Sequence, residues 1–440
     1  MADNPLLITN ADITGVLKNV YESFRVDAFP MLTPLLAAVK KGSAGGPESL
    51  RWGGNGVYWD VVLTRPVGMT ASQSGYFPPT AQTIERQATL GIKRTYVQRQ
   101  IDRLAVFGTQ SKEAAFIPLA KKVAKEAVAA ATLGQQEVLH GDGRGIKALI
   151  GTVTDTDTIV VTSPYGVSGA GQGGLLLDAG MYIAVLDDSD SFATVLGRAY
   201  ITSTSNSGDN CTLELGSAIA GMATGDAVVA CTPSDTSFNN YPNGLINILN
   251  RGGSYDNFEG INAATANQQR WNTTRLTAGT DTDSASQFAE MDLWHLAQLI
   301  AAKSGKDAMQ KPGEFLCQTT MGLRRNLAES FFGQRRLTPS DFVKIKGGFK
   351  AIEVSGIPVV ADTWNPAGTV YLVHLPSLTW VDRQDWEKVQ YEDSGAWRPI
   401  PGRDAFEINW AAYWNFGCLQ RNPHGMITGF TDSNRYTHVV

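Results

Sequence analysis

SKEAAFIPLAKKVAKEAVAAATLGQQEVLHGDG, residues 111–143, limits what this chain can fold into more than any other stretch. Phe116, Ala120, Val123, Ala127 and Ala131 recur at three- and four-residue spacing, which puts them on one face of a helix. Ser111 is placed to cap the start, and Gly141 and Gly143 to stop the end. About thirty residues at the helical rise give a rod of roughly 43 Å. Pro118 must kink that rod or push its true start later. The alanines let another element pack closely, while Lys121, Lys122, Lys125 and Glu126 keep the other side wet.

Around this helix the chain changes character several times. Residues 1–50 read as an arm: LKNVYESF can form a helix, AFPMLTPLLAAV carries two prolines, and KKGSAGGPES is loop. Such a segment has no core of its own and must lie across something else, with order expected only against neighbouring subunits. GVYWDVVLT (56–64) and ATLGIKRTYVQRQI (88–101) read as two strands, joined by a tip of about twenty residues that is long for a hairpin connection. Tyr76, Phe77, Pro78 and Pro79 cluster at that tip without a local core, which marks them for docking on a partner.

Residues 151–235 carry five short strand-type runs, at Thr158, Met181, Arg198, Cys211 and Asp226, separated by Gly, Ser and Asp turns. AGMYIAV (179–185) and TGDAVVA (224–230) resemble each other, each a glycine turn feeding a strand. The spacing predicts a small all-β barrel or sandwich. Ten acidic residues there face Arg198 alone, a net of −9 that leaves +4 for the rest of the chain. Farther on, SASQFAEMDLWHLAQLIAAKSG shows a Ser284-x-x-Gln287 capping box and an amphipathic helix, and TTMGLRRNLAESFFG reads as another helix. GGFKAIEVSGIPVVADTWNP (347–366) places two β-type runs around Ser355-Gly356, and its carboxylates, Glu353 and Asp362, belong to no recognisable site pattern. Six of the ten tryptophans follow residue 360, so this end is heavily packed.

Little in the chain points to chemistry. His140, His295, His374, His424 and His438 show no metal-type spacing and read as structural or surface residues. Gly166-Val-Ser168 lacks the strand and helix that a nucleophile elbow needs. Ser304-Gly-Lys306 lacks the rest of a phosphate loop. Asp187-Asp188-Ser-Asp190 and Asp281-Thr-Asp283 lack the glycine of a calcium loop and read as turn and cap residues. Cys211, Cys231, Cys317 and Cys418 contain no C-x-x-C pair, so free thiols are expected, although Cys211 and Cys231 have the chance of adjacent strands. A net charge of −5 argues against a surface that grips nucleic acid everywhere. The start, MADNPLLITNADITG, lacks the basic and apolar regions of a secretion signal, and no apolar run is long enough to cross a bilayer.

The order of arm, long hairpin with an oversized tip, alanine-rich helix, and mixed α/β region closed by C-terminal strands resembles the major capsid proteins of tailed bacteriophages, the Hong Kong 97-like fold. The stretches most similar to that family are residues 111–143, VSGIPVVAD (354–362) and CLQRNPHGMITGFTD (418–432). The resemblance implies an α+β chain with an N-terminal arm at 1–50 and an extended β-hairpin loop at 51–100. A peripheral domain with the spine helix follows at 101–150, and a small all-β domain is inserted at 151–235. Residues 236–380 become mainly the axial domain, and C-terminal strands at 381–440 return to the peripheral domain.

By the same resemblance the chain is a non-enzymatic structural protein with no cofactor or metal. It assembles as pentamers and hexamers into an icosahedral head shell around double-stranded DNA, held without sequence-specific contacts. Assembly takes place in the bacterial host cytoplasm, and the product resides in the virion. Implied partners are other copies of itself, a portal and a decoration protein, with no membrane. No long scaffolding segment precedes the arm, so a separate scaffolding protein is expected. Tyr76, Phe77, Pro78 and Pro79 become inter-subunit contacts. Encapsulin-type bacterial compartments share the fold and form one alternative; a β-rich carbohydrate-binding or hydrolytic protein forms another, of a different class.

Overall fold

The computed structural model describes residues 7–8, 34–39, 41–43, 51–53, 56–65, 83–104, 119–167, 172–232, 238, 240–333, 342–344, 350–389 and 397–432. Two large sheets, a closed barrel and three longer helices make up most of it. The long helix is described over Leu119–His140, and Val123, Ala127 and Ala131 are buried on one face as their spacing requires. Its 22 described residues span about 33 Å. Ser111 and Phe116 lie outside the described residues.

The helix lies on a six-stranded sheet ordered Leu7–Ile8, Lys93–Asp102, Ala405–Cys418, Leu378–Lys388 and Lys41–Ser43, with Trp397–Pro399 added to Ala405–Cys418. Ala127 of the helix meets Ile408, Trp410 and Val97 of the sheet. On this sheet Trp380 and Trp414 stack with ring centroids 4.3 Å apart and planes within 3°. Such a pair adds about 1 kcal/mol to what burial alone provides. The described parts of the arm occupy both edges of this sheet, and Leu35, Ala38 and Val39 are buried in the main core. That corrects the expectation that the arm finds order only on neighbouring subunits. At least residues 34–39 are held by this chain itself.

The hairpin pairs Gly56–Val62 with Glu85–Gly91. The run 88–101, expected as one strand, is broken at Ile92. Glu85–Gly91 stays with the hairpin, while Lys93–Asp102 joins the six-stranded sheet. Residues 66–82 lie outside the described residues, and with them Tyr76, Phe77, Pro78 and Pro79.

A seven-stranded sheet forms the second large unit, in the order Thr274–Thr277, Gly425–Thr428, Val370–His374, Phe315–Thr319, Ile357–Ala361, Lys350–Val354 and Phe342–Lys344. Side chains alternate across its central strands. Phe315, Cys317, Val370 and Leu372 pack with helices Glu290–Ser304 and Met321–Gly333 on one side. Leu316, Tyr371, Val373 and Met426 face the main core on the other. Ser355 and Gly356 form the two-residue turn between Lys350–Val354 and Ile357–Ala361, both with positive φ (52° and 85°), the geometry a tight hairpin favours. A Cβ on Gly356 would come within 2.8 Å of the Pro312 ring, which fixes glycine there.

Two expectations about this region change. Helix Glu290–Ser304 starts six residues after Ser284, and its N-cap is Ala289, whose N–H donates to the Asp292 carboxylate at 2.9 Å. Ser284 instead exchanges a hydrogen bond with Ser286. Gly425–Thr428 leaves the path of Ala405–Cys418 and enters the seven-stranded sheet, so the strands after 381 divide between the two sheets.

The barrel closes in the order Val195–Ser207, Asn210–Leu215, Thr158–Pro164, Ile146–Val153, Ala227–Ala230, Tyr182–Leu186 and back to Val195–Ser207. It begins at Ile146, upstream of the expected 151, because Ile146–Val153 supplies the sixth strand between Thr158–Pro164 and Ala227–Ala230. The two similar segments pair with each other, Val228 opposite Val185. Ile150, Val161, Ile183, Val185, Ile201, Leu213 and Val228 fill the interior. Cys211 and Cys231 are not on adjacent strands, and none of the four cysteines forms a disulfide. A fragment of residues 144–232 is expected to fold alone with a cooperative thermal transition followed by circular dichroism. One starting at 151 lacks a barrel strand and should not; equal behaviour of the two fragments would refute this account of closure.

Candidate functional site

Two buried polar clusters hold the long helix and the hairpin base to the sheets. The first is at the helix end. Gln136 and His140, four residues apart, point together toward Gln318 of Phe315–Thr319 and Asp362, one residue past Ile357–Ala361. Asp362 Oδ2 accepts from the side-chain amides of Gln136 and, at 2.8 Å, Gln318; its Oδ1 accepts from the Trp364 N–H at 3.0 Å. The Gln318 amide also reaches His140 Nε2 at 2.7 Å, which makes that nitrogen the acceptor and puts the ring hydrogen on Nδ1, facing the Gln136 carbonyl at 3.0 Å. Gln136 Oε1 in turn accepts from the Leu36 N–H of the arm at 3.0 Å. Burial raises the Asp362 carboxyl above its ordinary range, with His140, Trp364 and the two amides opposing that shift.

His140 and Asp362 stand 3.5 Å apart with no exposed side-chain surface, a pairing that resembles half of a hydrolytic triad. Both ring nitrogens are already occupied, however, so the imidazole has neither lone pair nor proton free for a substrate. The arrangement is a clamp between helix, arm and seven-stranded sheet.

The second cluster secures the hairpin base. Glu259 sits in a turn at φ 54°, a conformation uncommon for a residue with a side chain, and uses both ends to justify it. Its carbonyl accepts from the Thr89 N–H at 2.9 Å, and its carboxyl accepts from the Cys418 N–H at 3.0 Å. Asn415 donates to the Gly91 carbonyl at 2.6 Å and accepts from the Asn243 N–H at 2.8 Å. Arg421 is fully buried among carbonyls of Ile248, Asn250 and Tyr255 at 2.9, 2.6 and 2.8 Å. Burial pushes the Glu259 carboxyl well above its usual value, while the Cys418 N–H and the Arg421 charge pull the other way.

Other residues noted in the sequence take structural posts. His374 bridges Ser377 and Glu314, and His424, pushed down to about 3 by burial, accepts from the His374 N–H. His295 is exposed on its helix, and His438 lies outside the described residues. Asp187, Asp190 and Asp281 accept backbone N–H groups of Ser189, Ala193 and Thr277 at 2.8, 2.8 and 2.7 Å, as turn caps do. Among the described residues no cluster of three or more His, Cys, Asp or Glu could hold a metal, and no helix is long and apolar enough to cross a membrane. Asp362, Gln318, Glu259 and Arg421 had no recognisable sequence signal; the i, i+4 pair Gln136 and His140 was the one readable hint.

No family model and no curated protein matches the chain. Among solved structures, a chain of the cyanophage A-1(L) capsid asymmetric unit matches over 96% of this chain and 100% of its own length, at 12% identity and TM-score 0.52. This chain has the Hong Kong 97-like capsid fold. The capsid of a native GTA particle matches over 96% of this chain and 99% of its own at 8% identity, with TM-score 0.46. The holo-SrpI encapsulin complex from Synechococcus elongatus PCC 7942 covers only 38% of this chain and 56% of its own, at 12% identity and TM-score 0.27, too little to carry an argument.

Within this capsid fold, Asp362→Ala strands two side-chain amides and the Trp364 N–H, and should cost about 3 kcal/mol. The urea midpoint measures that loss, and an unchanged midpoint would sink the clamp. Glu259 has a raised folded-state pKa, so its contribution is present at low pH and fades as pH rises from the unfolded glutamate value toward the folded one. Glu259→Gln should therefore flatten the decline of the urea midpoint between pH 5 and 8; parallel curves for the two proteins would contradict the assignment.

Proposed function

We propose that this chain is the major capsid protein of a tailed bacteriophage, forming the pentamers and hexamers of an icosahedral head shell around double-stranded DNA. The observation that carries this reading is the end-to-end likeness to the cyanophage capsid chain. Surface chemistry supports it. Val62 on the hairpin, Tyr96 on the six-stranded sheet, Leu104 after it and Val128 on the long helix are 58%, 59%, 66% and 55% exposed. Those apolar groups are wet in one chain and become covered when copies meet.

In this reading 51–100 is the extended loop whose Tyr76, Phe77, Pro78 and Pro79 dock on a neighbour. The seven-stranded unit serves as the axial domain, and the six-stranded sheet with its helix as the peripheral domain. The acidic barrel faces outward, since an acidic knob turned toward packaged DNA would be repelled. A separate scaffolding protein, a portal and a decoration protein complete the partners. The particle forms in the host cytoplasm.

Shell locking follows from the lysines. Residues 42–92 contain none, and Lys93 begins the strand that pairs with Trp414, at the base of the loop and not at its tip. Arg65 and Arg86 are no substitute, because a guanidinium is a poor nucleophile, so a loop-tip amine for an isopeptide weld is missing. Purified chain viewed by negative-stain microscopy should give closed shells. Particles boiled in detergent should run as one band near 47.4 kDa. A strict monomer would defeat the capsid reading, shells holding protein cargo would favour an encapsulin, and a reductant-resistant ladder would defeat the non-covalent lock.

A further inference from the structure

Asn250 gathers three arginines beside the edge strand Thr274–Thr277. Its Oδ1 accepts from the Arg251 backbone N–H at 3.0 Å and from Arg275 Nη1 at 2.9 Å, and its carbonyl accepts from Arg421 Nη2 at 2.6 Å. Lys303 enters from helix Glu290–Ser304 and donates to the Thr273 carbonyl at 2.8 Å. Arg251, Arg275 and Asp281 line two adjoining hollows, one of about 530 Å³ that also takes in Asp256 and one of about 520 Å³ that reaches Lys303.

Every side-chain anchor on Arg275, Lys303 and Arg421 is a neutral oxygen, and Arg251 is tied to Asn250 through its backbone. Among the described residues, none of Arg251, Arg275, Lys303 and Arg421 has a carboxylate at ion-pair distance. The two carboxylates on the groove wall are engaged with backbone: Asp256 accepts from the Gly252 N–H at 2.9 Å and Asp281 from the Thr277 N–H at 2.7 Å. The crowding registers on Lys303, whose amine is held down to about 8 by burial, with Arg251 and Arg421 adding to the effect. A guanidinium fork held in place without a charged partner, as Arg275 is by Asn250, suits an oxyanion that brings several acceptor oxygens at once. A carboxylate offers two such oxygens and a phosphoryl group three or more.

We propose that this groove binds a phosphoryl oxyanion, with Arg251, Arg275 and Lys303 as its ligands and Asn250 fastening the two arginine-bearing segments. Free inorganic phosphate and the phosphodiester backbone of nucleic acid share this chemistry. The site is independent of the capsid reading, because binding is measured on purified chain whether or not shells form.

Full-length chain titrated with inorganic phosphate by calorimetry should show saturable binding. Arg251→Gln and Arg275→Gln should each weaken it by about tenfold, the usual worth of a charge-assisted hydrogen bond. Arg270→Gln, an exposed arginine outside the groove, should leave it unchanged. Thermal unfolding with and without phosphate separates binding from folding: wild type gains Tm on adding phosphate, and the groove variants lose that gain whatever their starting Tm. A short labelled DNA duplex followed by anisotropy across salt concentrations distinguishes the source. Duplex binding whose salt slope drops by about 0.9 for each lost contact assigns the site to nucleic acid; phosphate binding without duplex binding assigns it to the free ion. Absence of phosphate binding in wild type, or undiminished binding in Arg275→Gln, overturns the proposal.

Discussion

Ten register pairs, from Lys93 opposite Trp414 to Asp102 opposite Ala405, join segments about three hundred residues apart, and the rest of the structure is arranged around that joint. The long helix lies across it through Ala127, Ile408 and Trp410. Trp414 stacks on Trp380 and donates to Thr95 at 2.9 Å, so the tryptophan layer is bound to the same ladder. Asn415, the next residue along, pins Gly91 where the hairpin departs. Loop-closure entropy grows slowly with length, so a joint this distant is affordable in stability, although pairings so far apart are reached slowly.

The buried polar clusters complete what apolar packing leaves open. Apolar burial is non-directional, and a sheet packed on a helix tolerates sliding unless something fixes register. Asp362, Gln318, Gln136 and His140 connect four chain segments through hydrogen bonds that work in only one arrangement. Glu259 does the same at the hairpin base, where its strained turn is held at both ends. Both clusters sit where separate units meet.

What could be read in the sequence was periodic and local. The alanine spacing gave the long helix and its buried face. Gly, Ser and Asp turns at regular intervals announced the barrel strands, and Ser355-Gly356 announced its hairpin. What escaped depended on partners distant in sequence. The break at Ile92 follows from the Asn415 bond to Gly91 and the pull of two different sheets, none of which a β-type run displays. Ile146–Val153 is recognisable as a barrel member only once Ala227–Ala230 lies beside it. Asp362 looked like one more loop carboxylate because Gln136 and Gln318 are 226 and 44 residues away.

The placement of Ala405–Cys418 and Gly425–Thr428 also bears on how the protein is made. Each is an interior strand, the first between Lys93–Asp102 and Leu378–Lys388, the second between Thr274–Thr277 and Val370–His374. On a ribosome, both large sheets therefore wait with an open slot until residues beyond 400 have emerged. The barrel, whose strands all lie within Ile146–Ala230, can close much earlier. A nascent chain thus carries a finished barrel on an unfinished body, and copies made side by side on one message have no completed sheet surfaces until the strands beyond residue 400 are in place.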